Sequence, residues 1–460
     1  LLTAVIAAEE RRDTMIVDIP NAFIQTRVER EEDKVIIRVR GYLVDVLCKI
    51  DPNYKKFVTT NKKGEKQLLL LCENAIYGTL IASLLFYNKF VKTLTRNGFE
   101  LNPYDACLAN RMVDGKQQTC GFHVDDCFLT GQKSTNDAFV ETLREEYESV
   151  FEDGSGKLKV QRGKVLEYVG MTLDFTTAGQ VKVSMFDFVD DLLRDYKKAA
   201  PEEHGTKTSA APRNLFVVDD DCEKLDKKKA EQFHHLVAKT LFATKRARPD
   251  TGTAVSFLST RVRAPDKQDW TKLVHMMKYL RGTRRLPLIL SSDGMGVLKW
   301  HVDGSFAVHP NMRGHTGGGL TMGRGFPLST SKKQKLNTRS STESEVVGVD
   351  DLMPAILWTR NFLKAQGYGV KECILLQDNK SAILLEKNGK ASSSKRTKHI
   401  SIRYFFVTDR IRKGELSVEW CPTEDMLGDF WTKPTQGKQF TRVRDQIMGA
   451  TPIQPPRAGK

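Results

Sequence analysis

Two adjacent carboxylates, Asp125 and Asp126, lie within an apolar stretch with a glycine at each end: residues 121–131 read Gly-Phe-His-Val-Asp-Asp-Cys-Phe-Leu-Thr-Gly. Such a pattern predicts a short β-hairpin. Two unit charges ~4 Å apart repel by roughly 4 kcal/mol near a protein surface. The pair therefore suggests a cation that offsets it, and hard carboxylate oxygens favour Mg²⁺. A solvated acidic turn is the alternative. Adjacent Asp residues also occur at 190–191, 219–221 and 350–351.

A third acid lies upstream, in residues 14–23, which read Thr-Met-Ile-Val-Asp-Ile-Pro-Asn-Ala-Phe. Residues 14–19 have the composition of a short strand, and Pro20 should end it because proline cannot donate a hydrogen bond to a neighbouring strand. Asp18 is therefore expected at a strand end, where carboxylates can converge on a ligand. Phe23 lies past the break and either covers the same pocket or is a helix residue buried in the core.

These segments resemble the reverse transcriptase motifs of copia-like LTR retrotransposons. The family carries Asp-x-x-x-Ala-Phe and, further along, Tyr-Val-Asp-Asp, which correspond here to residues 18–23 and 123–126. The resemblance implies that Asp18, Asp125 and Asp126 hold two Mg²⁺ ions, with Mn²⁺ as a substitute, for DNA synthesis on an RNA template from a DNA primer. It also implies that Phe23 is the bulky gate that disfavours a ribose 2′-OH.

Length and charge agree with a multidomain nucleic-acid-binding protein. At 460 residues the chain is long for one core, so two or three domains are expected. Its 40% hydrophobic and 28% charged residues indicate a globular, soluble protein. The formal net charge of +15 favours a polyanionic partner, although a merely basic protein has the same charge. The eight cysteines lack Cys-x-x-Cys spacing, which argues against zinc and disulfides and for a reducing compartment.

The sequence predicts no membrane segment, because no apolar run has the length of a membrane span. Its start lacks an initiator Met and the basic front of a signal peptide, which indicates either a piece of a longer polyprotein or an interrupted copy, in both cases not secreted. The resemblance implies a cytoplasmic location, in a virus-like particle, or a nuclear one. Only 17 residues precede Asp18, so most of the fingers of a reverse transcriptase would be missing. The oligomeric state stays open.

Periodicity predicts alternating strands and helices through the first half of the chain. The predicted strands are at residues 33–47, 67–72, 164–175 and 180–185, and the predicted helices at 75–87, 136–151 and 186–196. The resemblance, which extends to motifs of the second half described below, implies an α+β reverse-transcriptase palm followed by an α/β ribonuclease H-like domain with a mixed sheet. The expected boundaries are a palm with truncated fingers at 1–198, a linker at 199–230, a helical connection at 231–295, the ribonuclease H-like domain at 296–450 and a tail at 451–460.

Two acids of the second half follow from local patterns. Apolar residues share one face of a strand that begins at Val297, which puts Asp303 on the other face together with His301. At the next helix start, Ser340 and Glu343 have the spacing of a capping box. Glu343 therefore has a structural explanation, and Glu345 is left free for chemistry.

Two more acids have weaker local signals. Asp378 follows a predicted strand at 373–377 and precedes a predicted helix at 379–385, so it either caps that helix or serves chemistry. Asp429 lies in a predicted C-terminal helix and by itself would be a surface acid.

Together these segments resemble the copia-type ribonuclease H domain. Its motifs Ser-Ser-Thr-Glu-Ala-Glu, Asp-Asn-Lys-Ser-Ala, Arg-Thr-Lys-His-Ile and Ala-Asp-x-x-Thr-Lys correspond to residues 340–345, 378–382, 396–400 and 428–433. The resemblance implies that Asp303, Glu345, Asp378 and Asp429 bind two Mg²⁺ ions for hydrolysis of the RNA strand of an RNA–DNA hybrid.

Some positions depart from the family pattern. The Lys, Gln and Arg of the family's Leu-Tyr-Gly-Leu-Lys-Gln-Ala-Pro-Arg fall on Leu80, Ile81 and Leu84, and His123 replaces a Tyr. Pro354 falls inside a predicted helix, where proline costs ~3 kcal/mol or more unless the helix kinks or ends. The second hypothesis is therefore a decayed or co-opted copy that binds nucleic acid without catalysis.

Overall fold

A computed structural model describes residues 1–148, 156–389 and 401–453, which form two compact units. The smaller unit comprises Thr14–Leu101 and Ala106–Gln161. The larger unit comprises Leu1–Asp13, Asn102–Asp105 and Arg162–Lys460. The motif predicted at 396–400, the end of the helix predicted at 136–151 and tail residues 454–460 lie outside the described residues. No helix in the described part of the chain combines the length and apolar character of a membrane span.

Helices and strands alternate along most of the described chain, as the sequence pattern indicates. The helices are α1 (Leu2–Glu9), α2 (Tyr42–Ile50), α3 (Ala82–Arg96), α4 (Lys133–Tyr147), α5 (Phe186–Ala199), α6 (Lys227–Thr244), α7 (Gly252–Ser259), α8 (Lys267–Gly282), α9 (Ser341–Ala365), α10 (Lys380–Asn388), α11 (Ser401–Arg412) and α12 (Gly437–Ile447). The strands are β1 (Asp13–Asp18), β2 (Val35–Arg40), β3 (Thr59–Thr60), β4 (Lys66–Cys72), β5 (Glu100–Asn102), β6 (Asp105–Val113), β7 (Lys116–His123), β8 (Asp126–Gly131), β9 (Lys159–Arg162), β10 (Val165–Tyr168), β11 (Met171–Asp174), β12 (Gln180–Ser184), β13 (Leu288–Ser292), β14 (Val297–Ser305), β15 (His315–Thr321), β16 (Gly323–Arg324), β17 (Leu328–Lys333), β18 (Glu372–Gln377) and β19 (Ser417–Trp420).

The smaller unit is built on a six-stranded sheet with the order β5-β6-β7-β8-β1-β9. Its core contains apolar side chains of β1, β7 and β8 together with Phe86 and Phe90 of α3 and Phe139 of α4. A second sheet has the order β2-β4-β3. The strands predicted near 14–19 and 67–72 are confirmed. The strand predicted at 33–47 is confirmed only as far as Arg40, because Gly41 has a positive φ of 60° and helix α2 begins at Tyr42. The helix predicted at 75–87 instead begins at Ala82, because Gly78 has φ = 90°, outside the right-handed helical region.

In the larger unit, a sheet with the order β10-β11-β12-β13-β16 packs against α1 through β12 and β13. The strand predicted at 164–175 is a hairpin of β10 and β11, with Gly170 at positive φ in the turn. Helices α5 to α8 and α12 share one apolar core. Residues 200–226, between α5 and α6, also contribute to it, because Ala211 and Leu215 are buried there.

The other sheet of the larger unit is mixed, with the order β17-β15-β14-β18-β19. β14 pairs antiparallel with β15 and parallel with β18, which pairs parallel with β19. Because β14, β18 and β19 are parallel, their carboxyl ends meet at one edge of the sheet. Helix α9 packs on β14 and β15 and continues through Pro354, whose ring is on its exposed side. The mixed α/β character predicted from the sequence is therefore confirmed.

Candidate metal centre

Asp303 lies near the end of β14, in the middle of the mixed sheet, and is 1% exposed. The sequence pattern predicts one apolar face for this strand, but His301 is also buried. The difference arises because α9 and a 3₁₀ turn, Leu427–Trp431, both pack against β14. A carboxylate in such a place has lost most of its hydration and needs a compensating partner.

Asp303 has two acidic neighbours from distant parts of the chain. Asp303, Asp378 and Asp429 each offer a carboxylate oxygen, and these oxygens lie within 4.8 Å of one another. Within the described ranges this is the one group of three or more Asp, Glu, His or Cys side chains that is so close. Three carboxylate oxygens at this separation are typical ligands for a hard divalent cation.

Asp378 immediately follows β18 and does not cap α10. The cap is Asn379, whose Oδ1 accepts a hydrogen bond of 3.1 Å from Ala382 N. The alternative that Asp378 caps α10 is therefore wrong. Asn379 is itself a favourable N-cap residue and lies one position closer to the helix. Asp378 Oδ2 instead accepts a 2.9 Å hydrogen bond from Thr423 Oγ1. Burial, followed by Asp303, raises the pKa of Asp378.

Glu345 reaches the same place from the first turns of α9. Ser340 caps this helix, as predicted, and Glu343 accepts a 2.7 Å hydrogen bond from Arg339 N. Glu345 Oε2 accepts a 2.8 Å hydrogen bond from Gly304 N on β14. Burial raises the pKa of Glu345 well above its usual range, and the carboxylates of Asp303 and Asp378 add to this effect.

Asp429 lies on the 3₁₀ turn Leu427–Trp431 rather than on the predicted helix. Its Oδ1 is 2.7 Å from Lys433 Nζ, which is also 3.6 Å from Asp303 Oδ1. Burial, followed by Asp303, raises the pKa of Asp429 to about 7. Burial alone would lower the pKa of Lys433, but the Asp303 and Asp429 carboxylates raise it above its ordinary value. Thr432 Oγ1 donates a hydrogen bond to Asp303 Oδ2.

Lys433 and Thr432 are the site residues that sequence reasoning missed. Both belong to the segment 428–433, and the spacing of Asp429 and Lys433 was a usable signal. In a helical turn, residues four apart lie side by side.

Two glycines allow the acids to come this close. A Cβ on Gly304 would lie 2.3 Å from Ser344 O, and one on Gly428 would lie 3.0 Å from Asp303 N. Any larger residue at these positions would push the start of α9, or the 3₁₀ turn, away from β14. These glycines therefore let Glu345 and Asp429 reach Asp303.

The donor set of this centre fits Mg²⁺ or Mn²⁺. All four acids offer hard oxygen ligands, which both ions accept. Asp303 Oδ1 is buried and lacks a hydrogen-bond partner among the described residues. A bound divalent cation would satisfy this oxygen, and it would offset the mutual repulsion that raises the pKa values of Glu345 and Asp429.

Two of the three acids of the smaller unit, Asp18 and Asp126, lie on adjacent strands, and Asp125 lies in the turn that precedes β8. Asp18 ends β1, and Asp126 begins β8 and pairs with His123 in the β7–β8 hairpin. Ile19 N donates a 3.0 Å hydrogen bond to Asp125 O, which ties the end of β1 to the hairpin turn. Burial raises the pKa of Asp125 and Asp126, and the charge of Asp18 adds to both shifts.

Among the described residues, the carboxylate oxygens of these three acids are not all within 4.8 Å of one another, unlike those of Asp303, Asp378 and Asp429. Asp18 Oδ2 is 3.1 Å from Lys159 Nζ, an exposed ammonium. Phe23 lies in a turn after β1 rather than in a helix, and its ring centroid is 4.8 Å from that of Tyr77. Burial, Asp125 and Asp18 raise the pKa of Tyr77, so this tyrosine is a neighbour of the acids that the sequence did not identify.

Comparisons with known proteins place similar sequences in transposon polyproteins. The chain is 22% identical over 391 residues to the Retrovirus-related Pol polyprotein from transposon TNT 1-94 of Nicotiana tabacum, a match that covers 84% of this chain and 28% of that protein. It is 30% identical over 202 residues to the Pol polyprotein from transposon RE2 of Arabidopsis thaliana, with 44% of this chain and 14% of that protein covered. The RE1 polyprotein of the same plant matches at 30% over 210 residues, or 45% of this chain and 14% of that protein.

The chain thus spans less than a third of the length of these relatives. No protein-family model matches it. Among solved structures, a foamy viral protease-reverse transcriptase in complex with double-stranded DNA is 11% identical, with 89% of this chain and 58% of that chain covered. Its TM-score to this chain is 0.20.

Proposed function

We propose that the chain is part of a copia-type Pol polyprotein, like the transposon proteins to which it is similar, and that its larger unit hydrolyses the RNA strand of RNA–DNA hybrids. The observation that carries this proposal is the group of Asp303, Asp378 and Asp429, whose carboxylate oxygens lie within 4.8 Å of one another. Glu345 is the fourth acid of the site. In this proposal residues 296–450 are a ribonuclease H-like domain.

Bound divalent cations would supply the positive charge that activates water and stabilises the leaving oxygen of the cleaved strand. The residues of the chain hold the ligands in place. Thr432 orients Asp303, Thr423 orients Asp378, and Gly304 N holds the carboxylate of Glu345. Ligands fixed in this way lose little conformational freedom when substrate binds, which favours catalysis.

The substrate class follows from the charge of the chain as well as from its family. The 72 Lys and Arg residues exceed the 57 Asp and Glu residues, and a basic protein gains affinity for nucleic acid by releasing counterions from phosphates. We therefore propose an RNA–DNA hybrid as the ligand of the larger unit and an RNA template with a DNA primer as the ligand of the smaller one.

RNA-directed DNA polymerisation by the smaller unit is a second candidate function. The observation that favours it is the position of Asp18 at the end of β1, next to strand β8 with Asp126 and tied to the turn of Asp125 by the Ile19 N hydrogen bond. In this proposal the reverse-transcriptase palm spans residues 1–198, of which the smaller unit contains Thr14–Leu101 and Ala106–Gln161. Its acids hold Mg²⁺, and Phe23 excludes a ribose 2′-OH. Leu80 is fully exposed where the family has a polar residue, so we expect weaker primer extension than hybrid cleavage.

A single substitution tests the hydrolytic proposal. Replacing Asp378 by Asn should abolish Mg²⁺-dependent cleavage of the RNA strand, because an amide is a weaker ligand and carries no charge. Binding of the hybrid should persist, since Lys and Arg contacts to phosphates are unchanged. Asp220→Asn is the matched control, because Asp220 is exposed in the same unit. Cleavage by Asp378→Asn at the wild-type rate would overturn the assignment.

Asp125→Asn separates the two activities. It should abolish primer extension and leave hybrid cleavage unchanged, whereas Asp378→Asn should do the reverse. Salt-sensitive binding without either activity in the unsubstituted chain would instead support the decayed or co-opted copy.

A further inference from the structure

The cluster of carboxylates in the larger unit already contains a positively charged side chain. Lys433 Nζ lies 2.7 Å from Asp429 Oδ1 and 3.6 Å from Asp303 Oδ1. These two acids belong to the group that could hold a divalent cation. The ammonium and a cation would therefore compete for the same carboxylates.

The surroundings direct Asp303 toward this position. Thr432 Oγ1 donates to Asp303 Oδ2, which turns the other oxygen, Oδ1, toward Lys433. At 3.6 Å the ammonium is too far for a good hydrogen bond. Asp303 Oδ1 indeed has no hydrogen-bond partner among the described residues. Lys433 thus offsets the charge of Asp303 without satisfying its oxygen, and a cation bound at that oxygen could do both.

The ammonium of Lys433 is also able to move away from the carboxylates. Its side chain is 43% exposed, whereas that of Asp303 is 1% exposed. Its backbone is held, because Lys433 N donates a 2.9 Å hydrogen bond to Asp429 O. The flexible stem can therefore swing the ammonium out of the group while the 3₁₀ turn stays in place.

We propose that Lys433 is the resident counter-ion of this centre: its ammonium holds Asp303 and Asp429 together in the cation-free protein and is displaced when Mg²⁺ binds. This inference rests on the proposed hydrolytic function. The displaced ammonium is then free to contact a phosphate of the bound strand, because a lysine is a mobile point charge suited to phosphate oxygens. Lys433 is thus a positioning residue of the cation-free state.

The test is Mg²⁺ binding by the full chain without nucleic acid, measured by titration calorimetry. The heat that is lost in Asp378→Asn identifies binding at this centre. Lys433→Met should bind Mg²⁺ on the order of tenfold more tightly than wild type, because no ammonium competes for the carboxylates. Lys438→Met is the control: it removes the same charge from an exposed position on α12 and should leave the affinity unchanged.

Thermal unfolding gives a second readout: the substitution that raises Mg²⁺ affinity should lower the stability of the Mg²⁺-free protein. Without Mg²⁺, Lys433→Met should melt at a lower temperature than wild type, because Asp303 and Asp429 then repel without compensation. Saturating Mg²⁺ should raise its melting temperature more than that of wild type. If Lys433→Met does not fold without Mg²⁺, Lys433→Gln, which keeps an N–H donor, is measured with the same expectation.

Three outcomes would overturn the inference, and only the third would also overturn the proposed hydrolytic function. A lower melting temperature with unchanged Mg²⁺ affinity would show that Lys433 is only a structural ion-pair partner. Weaker Mg²⁺ binding by Lys433→Met would show that the lysine supports the cation instead of competing with it. Absence of Mg²⁺ binding at this centre in wild type would overturn the proposed hydrolytic function as well.

Discussion

Replacing Gly304 by Ala should destabilise the larger unit and displace Glu345. The added Cβ would lie 2.3 Å from Ser344 O, whereas ordinary contacts of a Cβ lie at 3.4–4 Å. The obstacle is backbone at the start of α9, so no side-chain rotation relieves it. Strand β14 and helix α9 would have to separate by about 1 Å, which is enough to break the hydrogen bond between Gly304 N and Glu345 Oε2.

The magnitude follows from three contributions. Overpacking of a close contact costs ~1–3 kcal/mol. The buried Gly304 N–H that loses its acceptor costs a further ~1–3 kcal/mol. The reduced freedom of the unfolded chain with Ala in place of Gly offsets ~0.4–1 kcal/mol of this. We therefore expect the free energy of unfolding to fall by roughly 3 kcal/mol and hybrid cleavage to fall with it.

Urea unfolding followed by tryptophan fluorescence measures this change, since the five tryptophans all lie in the larger unit. Gly369→Ala is the matched control, because a Cβ there meets nothing within 4 Å and should leave stability equal or slightly higher. Wild-type stability and cleavage in Gly304→Ala would refute the reasoning, since they would mean that α9 does not need this close approach.

Three further predictions concern other parts of the chain. Asn379→Ala should lower the free energy of unfolding by about 1 kcal/mol through loss of the α10 cap, and an equal loss in Asp378→Ala would contradict the assignment of the cap. Burial raises the pKa of Glu386 from 4.5 to about 8, and its carboxylate has no hydrogen-bond partner among the described residues. The folded state therefore holds this proton more tightly than the unfolded chain does. The contribution of Glu386 to the free energy of unfolding should be full below pH 4.5 and fall by up to about 5 kcal/mol as pH rises through 8. The same pH dependence of denaturation in Glu386→Gln would disprove this prediction. Nucleic-acid affinity should fall about a thousandfold between roughly 50 and 200 mM salt, and a flat response would show that the net positive charge does not act in binding.

Local patterns in the sequence were enough to predict several elements of this fold. The strand that ends at Asp18, the first part of the strand predicted at 33–47, the strand near 67–72 and the Ser340 cap of α9 all follow from interactions within a few residues. Proline, capping residues and alternation act over one turn or one strand, so they are readable without tertiary structure. The positions of Asp18 at the end of β1 and of Glu345 in the first turns of α9 were predictable for the same reason.

Other features depended on which elements pack together. The sequence could not show that Asn379 rather than Asp378 caps α10, because both residues are able to cap a helix and only backbone geometry selects one. Nor could it show that β14 is buried on both faces, since α9 and the 3₁₀ turn come from later parts of the chain.

The meeting of Asp303, Asp378 and Asp429 within 4.8 Å was decided by tertiary packing. The parallel strands β14 and β18 bring Asp303 and Asp378 to one edge of the sheet, and the 3₁₀ turn that carries Asp429 packs on β14. The position of Lys433 between two of these acids depends on the same packing and on glycines that let backbones touch. Spacing in the sequence identifies which residues can serve as ligands, but distances between ligands are set by long-range packing, on which local propensity has no influence.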